Sequence, residues 1–370
     1  MTTIIKAHNP ADLLAMVPAL VGFEPRNSVV VLGFAGNRTC GALRYDLPPQ
    51  NHEREVIDRI VATLLRIPTL DNVVIVIRTD RRFPARLGAP HVRLAKALAR
   101  SLRSSGIGVK ESLCHASDGW ASYLDPKTPP GGHPLSDIES SLVHHEVPDD
   151  LREERMRPLP DGRIPSVDEA ELDATAAQIA ELEALRTELA RRKSRPGAAF
   201  GLCGDDDRDW GALEICRDLP LFFEGVLDWD AYDVKHGAGL LLFVLKGPPL
   251  RDRAMRQWAT DLSVGDDLDL NPLAHAEVML GEGARPDVRR IERAIAVLTA
   301  VIARAEDAYR PAPLCMLAWL NWALGRSSVA GRHLDEALAI DPNYSMAQLH
   351  YTILSNGMLP AWAFDPAMVE

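Results

Sequence analysis

The chain has 370 residues, of which 46% are hydrophobic, so it can form about two domains with cores of their own. Its formal net charge of −11 at pH 7 argues against broad contact with nucleic acid, which needs a basic surface, and against adhesion to anionic membranes. The five cysteines are scattered and form no C-x-x-C pair, which is typical of reduced cytosolic thiols and not of a disulfide framework or a zinc site.

The sequence contains no pattern that predicts secretion or a membrane span. The first ten residues lack the apolar segment of a signal peptide. The longest apolar run, 238–245, ends at Lys246 and is far shorter than the roughly 20 residues that a membrane-spanning helix needs. We therefore expect a cytoplasmic protein.

Strands and helices alternate over the first third of the chain. Two β-rich runs around a glycine-containing turn predict a hairpin, and two later apolar runs predict further strands. The predicted strands are 28–34, 40–47, 73–77 and 109–115, and the predicted helices are 10–20, 53–67 and 90–102. Because strand–helix–strand connections are right-handed and join parallel strands, this order predicts a small, mostly parallel sheet with the first hairpin strand as an antiparallel edge.

Breaks rich in proline and glycine divide the chain into domains. The break at 158–165 separates a predicted α/β domain, 1–157, from a long helix that is expected to run from a capping box at Ser166 to about residue 193. Residues 158–209 are thus interpreted as a long helix and a linker. Every later segment has helical spacing or is a short loop, so 210–370 is predicted to be an all-α, repeat-like domain.

The segment at about 312–356 has the pattern of a tetratricopeptide-like helical hairpin. Small side chains are expected where two such helices touch, and Ala318, Ala330 and Ala337 occupy those positions. Gly325 would end the first helix, because glycine tolerates the left-handed backbone conformation. An ordinary hairpin within an all-helical domain explains the same pattern.

Two tryptophans of the first hairpin helix are candidate partner-binding residues. Trp319 and Trp322 are three positions apart and so lie on one side of the helix. Aromatic residues in helices usually belong to the core, but helical repeats also present aromatic side chains to partners in a concave groove. Both interpretations stay open from the sequence.

Polar residues follow the predicted parallel strands where each strand ends. Ligands of parallel sheets bind at the carboxyl ends of the strands, so residues that are distant in sequence are expected to meet there. Such a group could bind an anionic or sugar-like ligand or carry out acid–base chemistry, although solvated ion pairs at strand ends explain the same residues. The candidate ligand-binding residues are Arg44, Asp46, Arg78, Thr79, Asp80, His115 and Trp120.

No motif identifies a cofactor, a metal or a catalytic group. No predicted strand is followed by G-x-G-x-x-G or by G-x-x-x-x-G-K-[ST], and no G-x-S-x-G is present. His144 and His145 are adjacent and would point about 100° apart on a helix, so they cannot chelate a metal as an i, i+4 pair would. We expect no cofactor and no metal, and no catalytic residue is assigned.

Several stretches together resemble one protein family. They lie at 10–14, 22–33, 44–48 and 120–124 in the first half and at 251–252, 317–325 and 357–362 in the second. On these motifs the chain is similar, over nearly its whole length, to a family of high-GC Gram-positive bacteria that is defined as a domain of unknown function. The resemblance implies no particular activity, cofactor or catalytic residue.

Three functions are open from the sequence. The leading interpretation is a cytoplasmic, non-enzymatic scaffold module that binds a protein partner through the helical domain. The alternative is a small-molecule-binding or hydrolytic enzyme with a site at the strand ends. The third is a structural or oligomerising role through the long helix that follows Ser166.

Overall fold

The computed structural model describes residues 7–21, 23–84, 88–146, 162–193, 218–270 and 276–364. The chain divides into two compact units, one formed by Met1–Asp161 with Phe364–Glu370 and the other by Gly162–Ala363. The first unit contains a sheet with helices and the second is helical, which confirms the predicted fold class. The linker predicted around 197–209 lies outside the described residues, so the domain boundaries at 157 and 209 stay predictions.

The first unit is a mixed sheet between helices. Its strands are β1 (Ser28–Ala35), β2 (Arg38–Asp46), β3 (Asn72–Arg78), β4 (Gly108–His115) and β5 (Trp120–Ser122). Its helices are α1 (Pro10–Val21), α2 (Glu53–Leu64), α3 (Val92–Ser104) and the short α4 (Ser136–Glu139) and α5 (Val143–Glu146), with a 3-10 turn at Gln50–His52. All strands and helices that the sequence predicts here are present, and β5 is an addition.

The strand order is β2-β1-β3-β4-β5, and this corrects the expected position of β1. The sheet is mixed and not mostly parallel, because among the four pairings of the described strands only that between β3 and β4 is parallel. β1 pairs antiparallel with both β2 and β3, β3 pairs parallel with β4, and β5 returns antiparallel to β4. The hairpin does lie at the edge of the sheet, but β2 is the outer strand and β1 is internal. Burial explains the order, because β1 is buried along nearly its whole length whereas β2 is partly exposed.

Alternate strand residues feed two separate cores. The odd-numbered apolar residues of β1 and β3 pack with α2 and α3, where Ile60 and Leu98 are fully buried. The even-numbered ones pack with α1 and α4, where Leu14 and Ile138 are buried. The apolar runs of β1 and β3 therefore have no polar alternation because helices cover both of their faces.

The described part of the second unit is built from helices. They are α6 (Glu169–Lys193), α7 (Leu219–Val226), α8 (Ala231–Leu245), α9 (Pro248–Ala259), α10 (Leu262–Leu270), α11 (Ala276–Met279), α12 (Val288–Ile302), α13 (Pro311–Ala323), α14 (Ser327–Ile340) and α15 (Ser345–Ser355), with 3-10 turns at Asp307–Tyr309 and Ala361–Phe364. The expected capping box at Ser166 is replaced by Asp168, whose Oδ1 accepts the backbone N–H of Glu171 at 2.9 Å.

The helices α13 and α14 form a hairpin with its small residues inside. Ala318, Ala330 and Ala337 are each at most 1% exposed and belong to one continuous core. Gly325 ends α13 with φ of 77°, and its N–H donates to the carbonyl of Trp322 at 2.8 Å. Three methyl side chains at the contact let the two helices approach closely.

Candidate functional site

The ends of the five strands lie at one level of the sheet. The register pairs Asp46 with Ser28, Ser28 with Arg78, Arg78 with His115, and His115 with Trp120. Residues paired across neighbouring strands point to the same face, which here is the face that α1 covers. The structure therefore brings together side chains that the sequence grouped by the strand-end rule, although the strands concerned are not all parallel.

Ser28 is the centre of the hydrogen bonding at the edge of this row. Its hydroxyl is buried, accepts the Nε–H of Arg44 at 2.8 Å and donates to the carbonyl of Arg26 at 2.5 Å. Arg44 also pairs with Asp46, with 2.5 Å between Nη2 and Oδ1. The two predicted site residues of β2 are thus bound to each other and to the loop that precedes β1.

Arg78 and His115 meet in the middle of the row. Arg78 donates to the imidazole ring of His115, and its Nη2 lies 3.0 Å from Oε1 of Glu24. Burial, with the neighbouring Arg78 charge, lowers the pKa of His115 to about 3, and burial lowers the pKa of Arg78. The imidazole is neutral at pH 7 and already accepts a hydrogen bond, so it is poorly placed to act as a general base.

Thr79 and Asp80 lie outside this row. Thr79 is buried, and its Oγ1 is 3.1 Å from Nε2 of His91, the residue that precedes α3. Asn27 donates from Nδ2 to Oδ2 of Asp80 at 2.6 Å and accepts the backbone N–H of Asp80 at 3.0 Å. This pairing holds Asn27 in a left-handed conformation with φ of 40°. Like the Arg44–Ser28 and Arg78–His115 contacts, the Asn27–Asp80 hydrogen bonds thus link neighbouring strands.

An open hollow with a volume of about 380 Å³ lies beside β5, and we call it the β5 hollow. Its lining includes the candidate residue Trp120 and also Glu111, Ser122, Asp125 and His133. The rings of Trp120 and His133 stack with their centroids 4.5 Å apart. Oε1 of Glu111 accepts the hydroxyl of Ser122 at 2.6 Å.

A β-bulge places the Glu111 carboxylate at this hollow. The register between β3 and β4 shifts so that Val74 pairs with Glu111, where an unshifted register would pair it with Lys110. Val74 belongs to the core on the α1 face, and paired residues share a face. A glutamate inside a strand that continues into the buried apolar residues Leu113 and Cys114 is the signal from which the sequence could have indicated this site.

The comparison with protein families covers both units. The family model described as "Domain of unknown function (DUF4192)" matches residues 10–361. This chain belongs to the DUF4192 family. No curated protein and no solved structure matches it. The matched range includes Ser28, Arg44 and Asp46, whose side chains form one hydrogen-bonded network in this DUF4192 protein.

The two candidate partner-binding tryptophans are core residues in this DUF4192 protein. Trp319 is 2% exposed and Trp322 is 3% exposed. Their indole N–H groups donate to the backbone carbonyls of Met279 at 3.1 Å and Met358 at 2.8 Å. Of the two interpretations that the sequence left open, this burial favours the core, because little of either ring is at the surface.

Among the residues that the structure describes, few groups have the properties of a reactive centre. Burial raises the pKa of Cys114 to about 11 and that of Cys315 to about 12, so both thiols are protonated at pH 7. Within the described ranges, no three His, Cys, Asp or Glu side chains lie close enough together to hold a metal ion. No helix in those ranges combines the length and the apolar character needed to traverse a bilayer.

Proposed function

We propose that this protein is a cytoplasmic, non-enzymatic binding module whose helical unit holds a protein partner on α15. The observation that supports the proposal is the composition of this helix and of the residues that follow it. The segment 345–358 contains no Asp, Glu, Lys or Arg, although these make up 25% of the chain. Within it, Leu349 is 60% exposed, Tyr351 47% and Met358 49%.

The position of α15 makes this composition informative. The helix packs on both α13 and α14 through Met346, Ala347 and His350, and its opposite side is exposed. The last helix of a helical stack normally presents a polar outer face, because no further helix covers it. An exposed face with apolar residues and no charge is instead typical of an interaction site.

The α13–α14 hairpin indicates what kind of partner fits this face. We interpret the hairpin as tetratricopeptide-like, on the strength of its three buried alanines and of the glycine that ends its first helix. In such arrays α15 would be the first helix of a further repeat, and a second helix would cover it. We therefore propose that the partner contributes an amphipathic helix whose apolar side packs against Leu349 and Tyr351.

The pairing of polar groups in the first unit supports a non-enzymatic role. Arg78 and His115 bind each other, and Arg44 binds Asp46. A group that already forms an internal hydrogen bond must lose that bond before it can act on a substrate. The Arg78–His115 contact links β3 to β4, and Arg44 also links β2 to β1 through Ser28, so these contacts are better explained as links within the sheet.

A comparison of variants of the full-length chain tests the proposal. Leu349→Glu places a charge on the α15 face, and Tyr232→Glu is the matched control, because Tyr232 is a 69% exposed aromatic residue on α8. In a pull-down with the immobilised chain, we expect a partner protein that binds the wild type to bind Tyr232→Glu as well, but not Leu349→Glu. Amide hydrogen exchange of the complex should show new protection at 345–358.

Two results would contradict the proposal. The first is that Leu349→Glu retains every protein that the wild type retains. The second is that the retained partner protects amides elsewhere in the chain and leaves 345–358 unchanged. Circular dichroism of both variants checks that the helical unit is folded, since both positions are exposed and a substitution there should change stability by no more than about 0.5 kcal/mol.

A further inference from the structure

We propose that the β5 hollow binds a small aliphatic amine in its protonated, ammonium form. The hollow is lined by two carboxylate side chains, Glu111 and Asp125, and by the hydroxyl of Ser122, and the lining residues that the structure describes include no lysine or arginine. Two carboxylates at one concave surface, with no lysine or arginine among its described lining residues, favour a ligand that carries the positive charge itself.

The carboxylates have oxygen atoms that remain available to such a ligand. Oε1 of Glu111 accepts both the Ser122 hydroxyl at 2.6 Å and the Ser112 backbone N–H at 2.8 Å. Oδ1 of Asp125 accepts the backbone N–H of Lys127 at 2.8 Å. Among the hydrogen bonds between described residues, Oε2 of Glu111 and Oδ2 of Asp125 take part in none, so each can accept an ammonium N–H. The internal hydrogen bonds fix the carboxylates in place for this task.

The remaining lining residues of the hollow fit the short alkyl chain of such a ligand. Pro10, Leu124 and Pro126 complete the lining with aliphatic surface. A volume of about 380 Å³ is within the usual range for small-molecule sites, which combine an apolar wall with a few placed polar groups. An ammonium group on a short alkyl chain satisfies both parts, because its head meets the carboxylates while its chain contacts the prolines and the leucine.

Two other ligand classes fit the wall less well. An anion would face the Glu111 and Asp125 charges, and no lysine or arginine in the described part of the lining offsets them. A sugar would need a bare aromatic face to stack on, but Trp120 is only 7% exposed and His133 already stacks on it. The lining therefore favours an organic cation.

Titration calorimetry with the full-length protein tests this proposal. The probes are 1,4-diaminobutane and n-butylamine, with n-butyrate as the control of opposite charge. Glu111→Gln removes the charge but keeps an oxygen that can accept from Ser122, and Asp125→Asn likewise keeps the acceptor for the Lys127 N–H. We expect saturable binding of an amine, no binding of butyrate, and an affinity that is weaker by about tenfold or more in each variant, because hydrogen bonds to charged groups are the stronger ones.

A matched control and a second measurement keep the result unambiguous. Glu139→Gln removes the charge of an exposed glutamate on α4 outside the hollow and should leave the affinity unchanged. The indole N–H signal of Trp120 in a nitrogen–proton NMR spectrum, assigned with Trp120→Phe, should shift on titration with the amine. The proposal is overturned if neither amine binds, if both charge-removing variants bind as the wild type does, or if binding leaves the Trp120 signal unmoved.

Discussion

Replacing Ala337 by leucine should destabilise the helical unit by about 1–3 kcal/mol. Ala337 is fully buried in the core that α13 and α14 share, so three added carbon atoms have no space without a shift of the neighbours. Overpacking of a well-packed core costs about this much. The change in helix propensity does not contribute appreciably, because leucine is nearly as good a helix former as alanine. The control is Ala339→Leu, at an exposed position two residues later on α14.

Tryptophan fluorescence during urea unfolding is the assay for this pair. Of the seven tryptophans, all except Trp120 and Trp210 lie within 218–364, so the signal reports mainly on the helical unit. The loss in Ala337→Leu should also lower the melting temperature by about 2–4 °C for each kcal/mol. Ala339→Leu should stay within about 0.5 kcal/mol of the wild type. Equal stabilities of the two variants would refute the conclusion that the alanine methyl groups set the distance between these helices.

Three further predictions concern charge and backbone geometry. The hydrogen bonds from Arg290 hold the pKa of Glu224 below its usual range. The pair therefore stabilises the fold above the unfolded-state pKa, and this stabilisation is lost as pH falls through the folded-state pKa. Urea unfolding across this acidic range should show a weaker pH dependence in Glu224→Gln. His115 has a pKa of about 3 in the folded state and about 6.5 in the unfolded state, so protonation favours the unfolded state as pH falls from about 6.5. The NMR signals of its ring should not titrate between about pH 5 and 8. A titration in that range would contradict its burial. Gly281→Ala should lower the melting temperature more than Gly283→Ala. Both glycines have positive φ, but an added Cβ would lie 2.5 Å from its nearest neighbouring atom at Gly281 and 3.4 Å at Gly283. Equal losses of melting temperature would rule out this steric explanation.

Local patterns in the sequence predicted the elements of the first unit to within a few residues. The apolar run at 73–77 became β3 and the helical spacing at 53–67 became α2, because each pattern follows from the geometry of the element itself. The position of β1 in the sheet could not be predicted in the same way. Its pairing with β3 joins residues 28–34 to residues 72–78, and many pairings between apolar strands satisfy the same local pattern.

The candidate site was predictable only in part. The strand-end rule correctly gathered Arg78 and His115, since strand ends at one edge of a sheet must meet. It could not show that these two residues bind each other, nor that a bulge places Glu111 beside Ser122. Hydrogen bonding and bulges depend on register, and register is set by contacts between distant segments.

The α13–α14 hairpin shows which features the sequence determined and which only the tertiary structure decided. The sequence by itself determined two helices, a glycine stop at Gly325 and small residues at the contact, because these properties depend on neighbours within a few residues along the chain. Only the tertiary structure decided that Trp319 and Trp322 are buried and that Leu349 is exposed. The periodicity of a helix specifies which residues share a side, whereas the packing of other helices determines which side is covered.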